Sequence, residues 1–178
     1  GLAFRGVYDS RKEIFIGSVA AWQDADGRIC DSPSDLLARD VEVVRSTAEV
    51  ATDIEHMRLF IPISFSTLVK PSARKALAAS FESPAKIRRR LVAVVYETPR
   101  SPSFQALMQV RKFLEPHVGT LGLQVTDPDF QIDSLPPNLA SSITLSLQGH
   151  DESVRLHAIS RFMGQSEAYA RKRVLQGV

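Results

Sequence analysis

The sequence predicts an α/β protein built on a parallel β-sheet, with a start that resembles a β-hairpin. Strand-like apolar runs alternate at least three times with amphipathic helical segments, which is the pattern of βαβ units. Residues 4–8 and Ile14–Trp22 form two further apolar runs, joined by a short polar turn. At 178 residues and 44% hydrophobic, we expect one domain over residues 1–178, with a single core.

Four short apolar runs predict the strands that follow the hairpin. They are residues 59–65, 91–96, 121–125 and 143–147. The run Leu91–Tyr96 consists of six apolar and largely β-branched residues between a basic cluster and two prolines. This composition is typical of a strand buried on both faces.

Apolar residues at three- and four-residue steps predict the helices. The first helix is expected to begin at Ser32 and Pro33, an N-cap residue followed by proline at the first helical position. Its predicted apolar face consists of Leu36, Leu37, Val41, Val44, Ala48 and Ala51. Further helices are predicted from Pro71 onwards and over residues 103–114, 151–162 and 167–175.

Residues 126–137 are predicted to form a loop, because they contain three aspartates and three prolines in twelve residues. The preceding strand ends at Val125, so the loop should lie at the carboxyl edge of the sheet. Glu97 follows the run Leu91–Tyr96 and should lie at the same edge. We therefore expect Glu97, Asp127 and Asp129 to lie near one another.

The bulk composition excludes several classes of protein. With 22 Lys and Arg against 20 Asp and Glu, the net charge is only +2, which does not favour a nucleic acid polymer as partner. Cys30 is the single cysteine, so no intrachain disulfide forms, and a reducing, cytoplasmic compartment is expected. No run of about 18 apolar residues could span a membrane. Because the chain starts with Gly1, we expect a domain excised from a longer protein.

Carboxylates are the candidate chemical groups, since the sequence has no glycine-rich phosphate loop, no nucleophile elbow and no paired histidines. Glu97, Asp127 and Asp129 could converge and hold Mg²⁺, which prefers oxygen ligands. The alternative is structural. Asp127 and Asp129 would then bond local backbone amides as turn residues, and Glu97 would cap the next helix together with Ser101 and Ser103.

One basic cluster precedes the run Leu91–Tyr96. It consists of Lys86, Arg88, Arg89 and Arg90. Such a cluster is typical of a solvated helix end or a turn before a strand, and the alternative is contact with phosphate.

The order of these elements resembles the EAL domain, a bacterial (β/α) barrel family that hydrolyses cyclic di-GMP. The opening segment, from FRGVYDS to SPSDLLARD, follows the family's strand, Trp, Asp-x-x-Gly turn and helix start. FIPISFSTLVKPSARKAL resembles the family's "vsvNlS" segment, RRLVAVVYETP resembles "rLvlEiTE", and LGLQVTDPDF with LPPNLASSITLSL resembles "laLDDFG" and "KiD". The resemblance implies a (β/α) barrel that is incomplete or truncated, since eight units need about 200 residues or more.

The resemblance also implies that the metal-binding side chains of the family are missing here. The opening Glu falls on Gly17 or Val19, and the nearby substrate-binding Arg has no counterpart. The family's Asn ligand falls on Ser64. The two Glu of "EiTE" fall on Val94 and Glu97, and the paired Asp residues fall on Gln124 and Val125. The Lys of "KiD" falls within the uncharged segment ITLSL. These side chains cannot hold two divalent ions. We therefore expect a degenerate member with no catalytic residue, no metal, no cofactor and no phosphodiesterase activity.

Three functions follow as hypotheses. The first is a pseudoenzyme of bacterial cyclic di-GMP signalling, which acts through a protein partner or self-association. The second is a metal-independent receptor that binds cyclic di-GMP through Arg100 or the basic cluster, with Glu97, Asp127 and Asp129 as further candidate ligand-binding residues. The third is an enzyme that uses the same three carboxylates on an unrelated substrate.

Overall fold

The strands of the protein form one sheet in the order in which they occur along the chain. The computed structural model describes residues 2–9, 12–22, 35–147, 149–168 and 172–176. The strands are β1 (Leu2–Asp9), β2 (Ile14–Trp22), β3 (Arg58–Ser64), β4 (Leu91–Tyr96), β5 (Thr120–Val125), β6 (Ser142–Ser146) and β7 (Lys172–Gln176). β1 pairs with β2 antiparallel, and every later pair is parallel.

Helices make most of the crossovers that parallel strands need. They are α1 (Leu36–Asp53), α2 (Phe65–Val69), α3 (Pro71–Ser80), α4 (Ala85–Arg88), α5 (Phe104–Leu114) and α6 (Glu152–Gln165). β5 connects to β6 through the predicted loop, which contains one 3₁₀ turn, Ile132–Ser134. The predicted fold class is confirmed: a hairpin start leads into six parallel strands that curl into a half-barrel. No helix in the described ranges is long and apolar enough to cross a membrane.

One face of the parallel sheet is buried beneath the helices. Successive side chains of a strand point to opposite faces, and the strand register brings residues of like orientation side by side. The residues of the buried face are Leu59, Ile61, Ile63, Leu91, Ala93, Val95, Leu123, Val125, Ile143 and Leu145. On the opposite face, Phe60, Pro62, Val94, Gln124 and Thr144 are only partly buried. The helices thus form the core with one face of the sheet, and the middle of the opposite face is only partly buried.

Polar side chains fix the points at which three helices begin. Asp35 caps α1 and Ser103 caps α5, each accepting a hydrogen bond from a backbone amide three residues on. Ser64 Oγ accepts from Thr67 N at 3.1 Å and caps α2. The predicted strand 59–65 therefore ends at Ser64, because this cap turns Phe65 into the first residue of a helix. The expected helix start at Ser32 and Pro33 lies outside the described residues.

The face of α1 that is buried differs from the apolar face that the sequence predicts. Val44 and Ala51 are buried as expected, but Asp40, Val43 and Thr47 complete the buried face. Leu36, Leu37, Val41 and Ala48 are only half-buried. α1 is therefore rotated so that a carboxylate, Asp40, faces the sheet.

The helix predicted over residues 167–175 is wrong. Residues Ser166–Ala168 form a 3₁₀ turn, and β7 follows as the edge strand that pairs with β6, Ser142 opposite Lys172 and Ser146 opposite Gln176. Pairing with an existing parallel strand satisfies the backbone of this segment. That long-range interaction outweighs the local helix propensity that the sequence suggested.

The basic cluster lies at a helix end before a strand, as predicted. Arg88 Nη1 donates to Pro116 O at 2.7 Å, and Arg90 donates to Ala51 O at 2.5 Å and to Ile54 O. Arg90 therefore satisfies carbonyls at the carboxyl end of α1 that have no partner within the helix. The cluster precedes β4, so it lies at the sheet edge opposite to Glu97. Contact of the cluster with phosphate, the alternative, stays a prediction.

Replacing Arg90 by Ala should lower the free energy of unfolding by about 2 kcal/mol, because charged hydrogen bonds to buried carbonyls are lost. Urea denaturation followed by circular dichroism measures the change. Arg89→Ala is the matched control, since the Arg89 side chain is exposed and its loss should change stability by less than about 0.5 kcal/mol. Equal effects of the two substitutions would contradict the capping role of Arg90.

Candidate functional site

The carboxyl ends of β4 and β5 bring three of the four candidate ligand-binding residues together. Arg100 Nε donates to Asp127 Oδ2 at 2.7 Å, and Arg100 Nη2 lies 3.7 Å from Asp129 Oδ2. Arg100 follows β4 and the aspartates follow β5, so they meet because neighbouring parallel strands end at the same edge. The hydrogen bond from Arg100 lowers the pKa of the Asp127 carboxyl below its usual value. Asp127 is therefore held as a carboxylate by a protein cation.

The loop after β5 is held by its own aspartates and by α6. Asp127 Oδ1 accepts from the Asp129 backbone amide at 2.8 Å, which confirms the predicted turn role of Asp127. The Asp129 carboxylate instead lies 3.7 Å from Arg161 Nη1, and Arg161 Nη2 donates to Pro128 O at 2.8 Å. Two arginines thus face two aspartates, and the charges of Asp127 and Asp129 are balanced within the chain.

Glu97 lies apart from this ionic cluster. It is the first residue after β4, its side chain is exposed, and its φ of 55° is in the left-handed region. The expectation that Glu97 caps the following helix is wrong, because α5 begins at Phe104 and is capped by Ser103. Glu97 instead lies close enough to Asp40 for its negative charge to contribute to the raised pKa of that carboxyl.

A buried polar cluster lies beneath Glu97, at the carboxyl ends of β3 and β4. The Asp40 side chain is 0% exposed. Asp40 Oδ2 accepts from the Ser64 backbone amide at 3.0 Å, and Asp40 Oδ1 accepts from Tyr96 Oη at 3.3 Å. The nearby Thr67 hydroxyl also acts to lower the pKa of this carboxyl. Asp40 therefore ties α1 to the ends of two neighbouring strands.

Burial dominates the electrostatics of this cluster. It raises the pKa of Asp40 to about 6, even though the hydrogen bonds and Arg39 act in the opposite direction. Arg39 Nε lies 3.9 Å from Asp40 Oδ1, and the Arg39 guanidinium lies 4.5 Å from the centre of the Tyr96 ring. The Arg39 guanidinium thus lies over the Tyr96 ring, and the titratable Asp40 carboxyl is buried beside them.

Asp40 and Arg161 are not among the residues that the sequence predicts at this edge. A signal for Asp40 was present, because it lies three residues after Leu37 and four before Val44, which places a carboxylate on the apolar side of a helix. Arg161 gave no signal, since its position on α6 relative to Asp129 depends on the packing of segments about thirty residues apart.

A recess of about 340 Å³ adjoins the ionic cluster. It is lined by Ser101, Pro102, Gln131, Asp133 and Ser134. Ser101 follows Arg100 directly, so the recess opens beside the candidate ligand-binding arginine. Its volume is at the lower end of the range of small-molecule sites, and its lining is polar.

Three of the positions that the resemblance assigns to metal ligands, Ser64, Val94 and Gln124, carry uncharged side chains. Ser64 is buried and its hydroxyl caps α2. Val94 lies opposite Pro62 in β3 and Gly122 in β5, and Gln124 lies opposite Thr144. None of these side chains carries a negative charge. Within the described ranges, no three His, Cys, Asp or Glu residues lie close enough together to hold a metal ion.

Replacing Asp40 by Asn should change how stability depends on pH. Asp40 has a usual pKa of 3.8 and a folded pKa of about 6, so the folded protein holds a proton that the unfolded chain releases between these values. Stability of the native protein should therefore fall as pH rises through this window, by about 1 kcal/mol per pH unit. The difference in unfolding free energy between native protein and Asp40→Asn, measured in urea from pH 4 to pH 7, isolates this contribution. A difference that does not vary with pH would contradict it.

No family model and no curated protein matches the chain in sequence. Solved structures match its fold. A standalone EAL protein of Vibrio cholerae O395, in its cyclic di-GMP-bound form, has a TM-score of 0.69 at 10% identity, over 99% of this chain and 80% of that chain. An EAL domain protein of Listeria monocytogenes EGD-e gives 0.65 at 14% identity, over 99% and 77%.

In a third matching structure, this chain covers a smaller share of the matched chain. A Bacillus subtilis protein with an EAL domain, in complex with cyclic di-GMP and calcium, gives a TM-score of 0.60 at 11% identity, over 95% of this chain and 46% of that chain. At these identities the likeness concerns the fold. With an antiparallel hairpin followed by consecutive parallel strands, the chain has the fold of the EAL domain proteins.

Proposed function

We propose that the chain is a catalytically inactive domain of the EAL fold, which acts in bacterial cyclic di-GMP signalling through a protein partner or through self-association. The proposal depends on one observation. Near the carboxyl ends of the strands, Ser64, Val94 and Gln124 occupy positions at which the family resemblance requires metal ligands. These three side chains are uncharged, whereas Mg²⁺ and Mn²⁺ sites need carboxylates.

The remaining carboxylates at this edge support the same proposal. Asp127 and Asp129 face Arg100 and Arg161, so a divalent cation would have to compete with two guanidinium groups. Asp40 is buried and its raised pKa disfavours the charged form that a metal ligand needs. Without bound ions, little remains to lower the pKa of an attacking water or to stabilise a phosphorane.

Purified protein should not hydrolyse cyclic di-GMP in the presence of Mg²⁺ or Mn²⁺, because the edge lacks the carboxylates that would hold them. Chromatography of the nucleotide products, with an active phosphodiesterase assayed in parallel, measures this. The electron paramagnetic resonance signal of free Mn²⁺ should also be unchanged by the protein. Turnover that is lost in Glu97→Gln or Asp127→Asn would instead support the hypothesis of an enzyme that uses these carboxylates.

A second function, a metal-independent receptor for cyclic di-GMP, is favoured by the recess beside Arg100. Two of the three structures described above hold cyclic di-GMP, and Arg100 is 59% exposed at the carboxyl edge of the sheet of this chain. A phosphate could accept two hydrogen bonds from its guanidinium. It would first have to displace Asp127, whose 2.7 Å contact occupies Nε. We therefore place this function second.

Titration calorimetry with cyclic di-GMP separates the two functions. The inactive interaction domain should give no heat at tens of micromolar protein, with or without Mg²⁺, since Asp127 occupies the arginine. Saturable heat that disappears in Arg100→Ala and persists in Arg45→Ala would establish the receptor. Arg45 is a suitable control because it is similarly exposed, at 62%, and its guanidinium also contacts a carboxylate, that of Glu42.

A further inference from the structure

We propose that Arg100 and Arg161 form a binding site for a dianionic phosphate group, with the side chain of Asp129 as a competitor tethered to the site. The two arginines approach different oxygens of the Asp129 carboxylate. Arg100 Nη2 lies 3.7 Å from Oδ2, and Arg161 Nη1 lies 3.7 Å from Oδ1. The ligand is the phosphate monoester of a small hydroxylated molecule or inorganic phosphate. The inference does not rest on the proposed function.

Both arginines are held in place by partners other than Asp129. Arg100 Nε donates to Asp127 Oδ2 at 2.7 Å, and Arg161 Nη2 donates to the backbone carbonyl of Pro128 at 2.8 Å. Because these bonds use Nε of Arg100 and Nη2 of Arg161, they remain when the Asp129 side chain moves away. Arg100 Nη2 and Arg161 Nη1 then face one position from two different segments, which suits an oxyanion.

The Asp129 carboxylate is held weakly. It is 59% exposed, and both of its distances to the arginines are longer than a hydrogen bond. Ion pairs of this kind at a surface contribute about 0 to 1 kcal/mol. The backbone of Asp129 is fixed independently, because its amide donates to Asp127 Oδ1 at 2.8 Å. Rotation of one side chain therefore opens the site without a change in the backbone of the loop.

A phosphate dianion interacts with this pair of arginines more strongly than a carboxylate does. Its two negative charges match the two guanidinium groups, and its oxygens can accept a hydrogen bond of about 2.8 Å from each. A phosphate monoester carries close to two charges above its second pKa of about 6. A diester carries one charge, as Asp129 does, and lacks the advantage of being tethered to the site. The site therefore favours monoesters and inorganic phosphate over diesters such as cyclic di-GMP.

The recess beside Arg100 provides room for the organic part of such an ester. Its volume is about 340 Å³, and its lining includes the side chains of Ser101, Gln131 and Ser134. Gln131 Nε2 donates to the Asp129 backbone carbonyl at 3.4 Å, so the recess adjoins the position of Asp129. A polar lining suits a molecule with hydroxyl groups better than an apolar one.

Neutralising Asp129 tests the competition. Phosphorus NMR at pH 8 follows the binding of inorganic phosphate to the whole chain, for which we expect a Kd on the order of 1 mM, because Asp127 and Asp129 both repel the ligand. Asp129→Asn should lower this Kd about tenfold, since it removes the tethered carboxylate and keeps the backbone amide. Glu82→Gln makes the same change in net charge at an exposed position before β4 and should leave the Kd unchanged. Equal Kd values for native protein and Asp129→Asn would overturn the role of Asp129.

Removal of one arginine tests the site itself. In the Asp129→Asn background, Arg161→Gln should raise the Kd for phosphate about tenfold or more, because one of the two cations is lost. Arg45→Gln removes an exposed arginine of α1 and is the matched control, with no expected effect. Arg161→Gln also loses the bond to Pro128 O, so Arg161→Lys, which keeps the charge, should recover part of the affinity. Binding that is unchanged in Arg161→Gln would overturn the site.

A comparison of ligands tests the ligand class. Glycerol 3-phosphate should bind more tightly than inorganic phosphate, because its hydroxyl groups reach the recess, and equal affinities would overturn the role of the recess. Dimethyl phosphate, a diester with one charge, should bind about tenfold more weakly than inorganic phosphate. Equal binding of these two would overturn the preference for dianions.

The outcomes are independent of the proposed function. A chain that binds no phosphate, even as Asp129→Asn, would overturn the phosphate site and leave the proposed function intact. Hydrolysis of cyclic di-GMP would overturn the proposed function and leave the phosphate site in place.

Discussion

Burial of one face of the parallel sheet beneath the helices is the constraint on which the rest of the structure depends. Ile61, Ile63, Ala93 and Val95 can be excluded from water only if β3 and β4 keep their register. Parallel strands in register end at a common edge, and the loops that follow them must converge there. The meeting of Arg100 with Asp127, and of Asp40 with the ends of β3 and β4, is a consequence of core packing.

The charges at this edge are satisfied by the chain itself. Asp127 and Asp129 are held by arginines, and Asp40 is buried among hydrogen-bond donors. In a metal-dependent hydrolase, carboxylates at strand ends stay available to cations. In this protein, the carboxylates at the strand ends instead join loops and helices to the sheet. The arrangement stabilises the scaffold.

The half-barrel leaves parts of the sheet exposed. A closed barrel removes sheet edges and fills its interior with side chains. In this seven-stranded sheet, β2 to β7 run parallel and β1 pairs with β2 alone within the described residues. The concave face is partly exposed. On the hairpin, the exposed Tyr8 and Phe15 rings meet edge to face.

The sequence alone determined the hairpin, the alternation of strands and helices, and the turn at Asp127, because each depends on residues close together in the chain. Tertiary structure alone decided that residues 172–176 form β7, that Arg161 reaches Asp129 and that Asp40 is buried with a raised pKa. It also placed Glu97 away from the start of α5. These features depend on contacts between segments distant in sequence, and local propensity contains no information about which distant groups will satisfy a backbone or a charge.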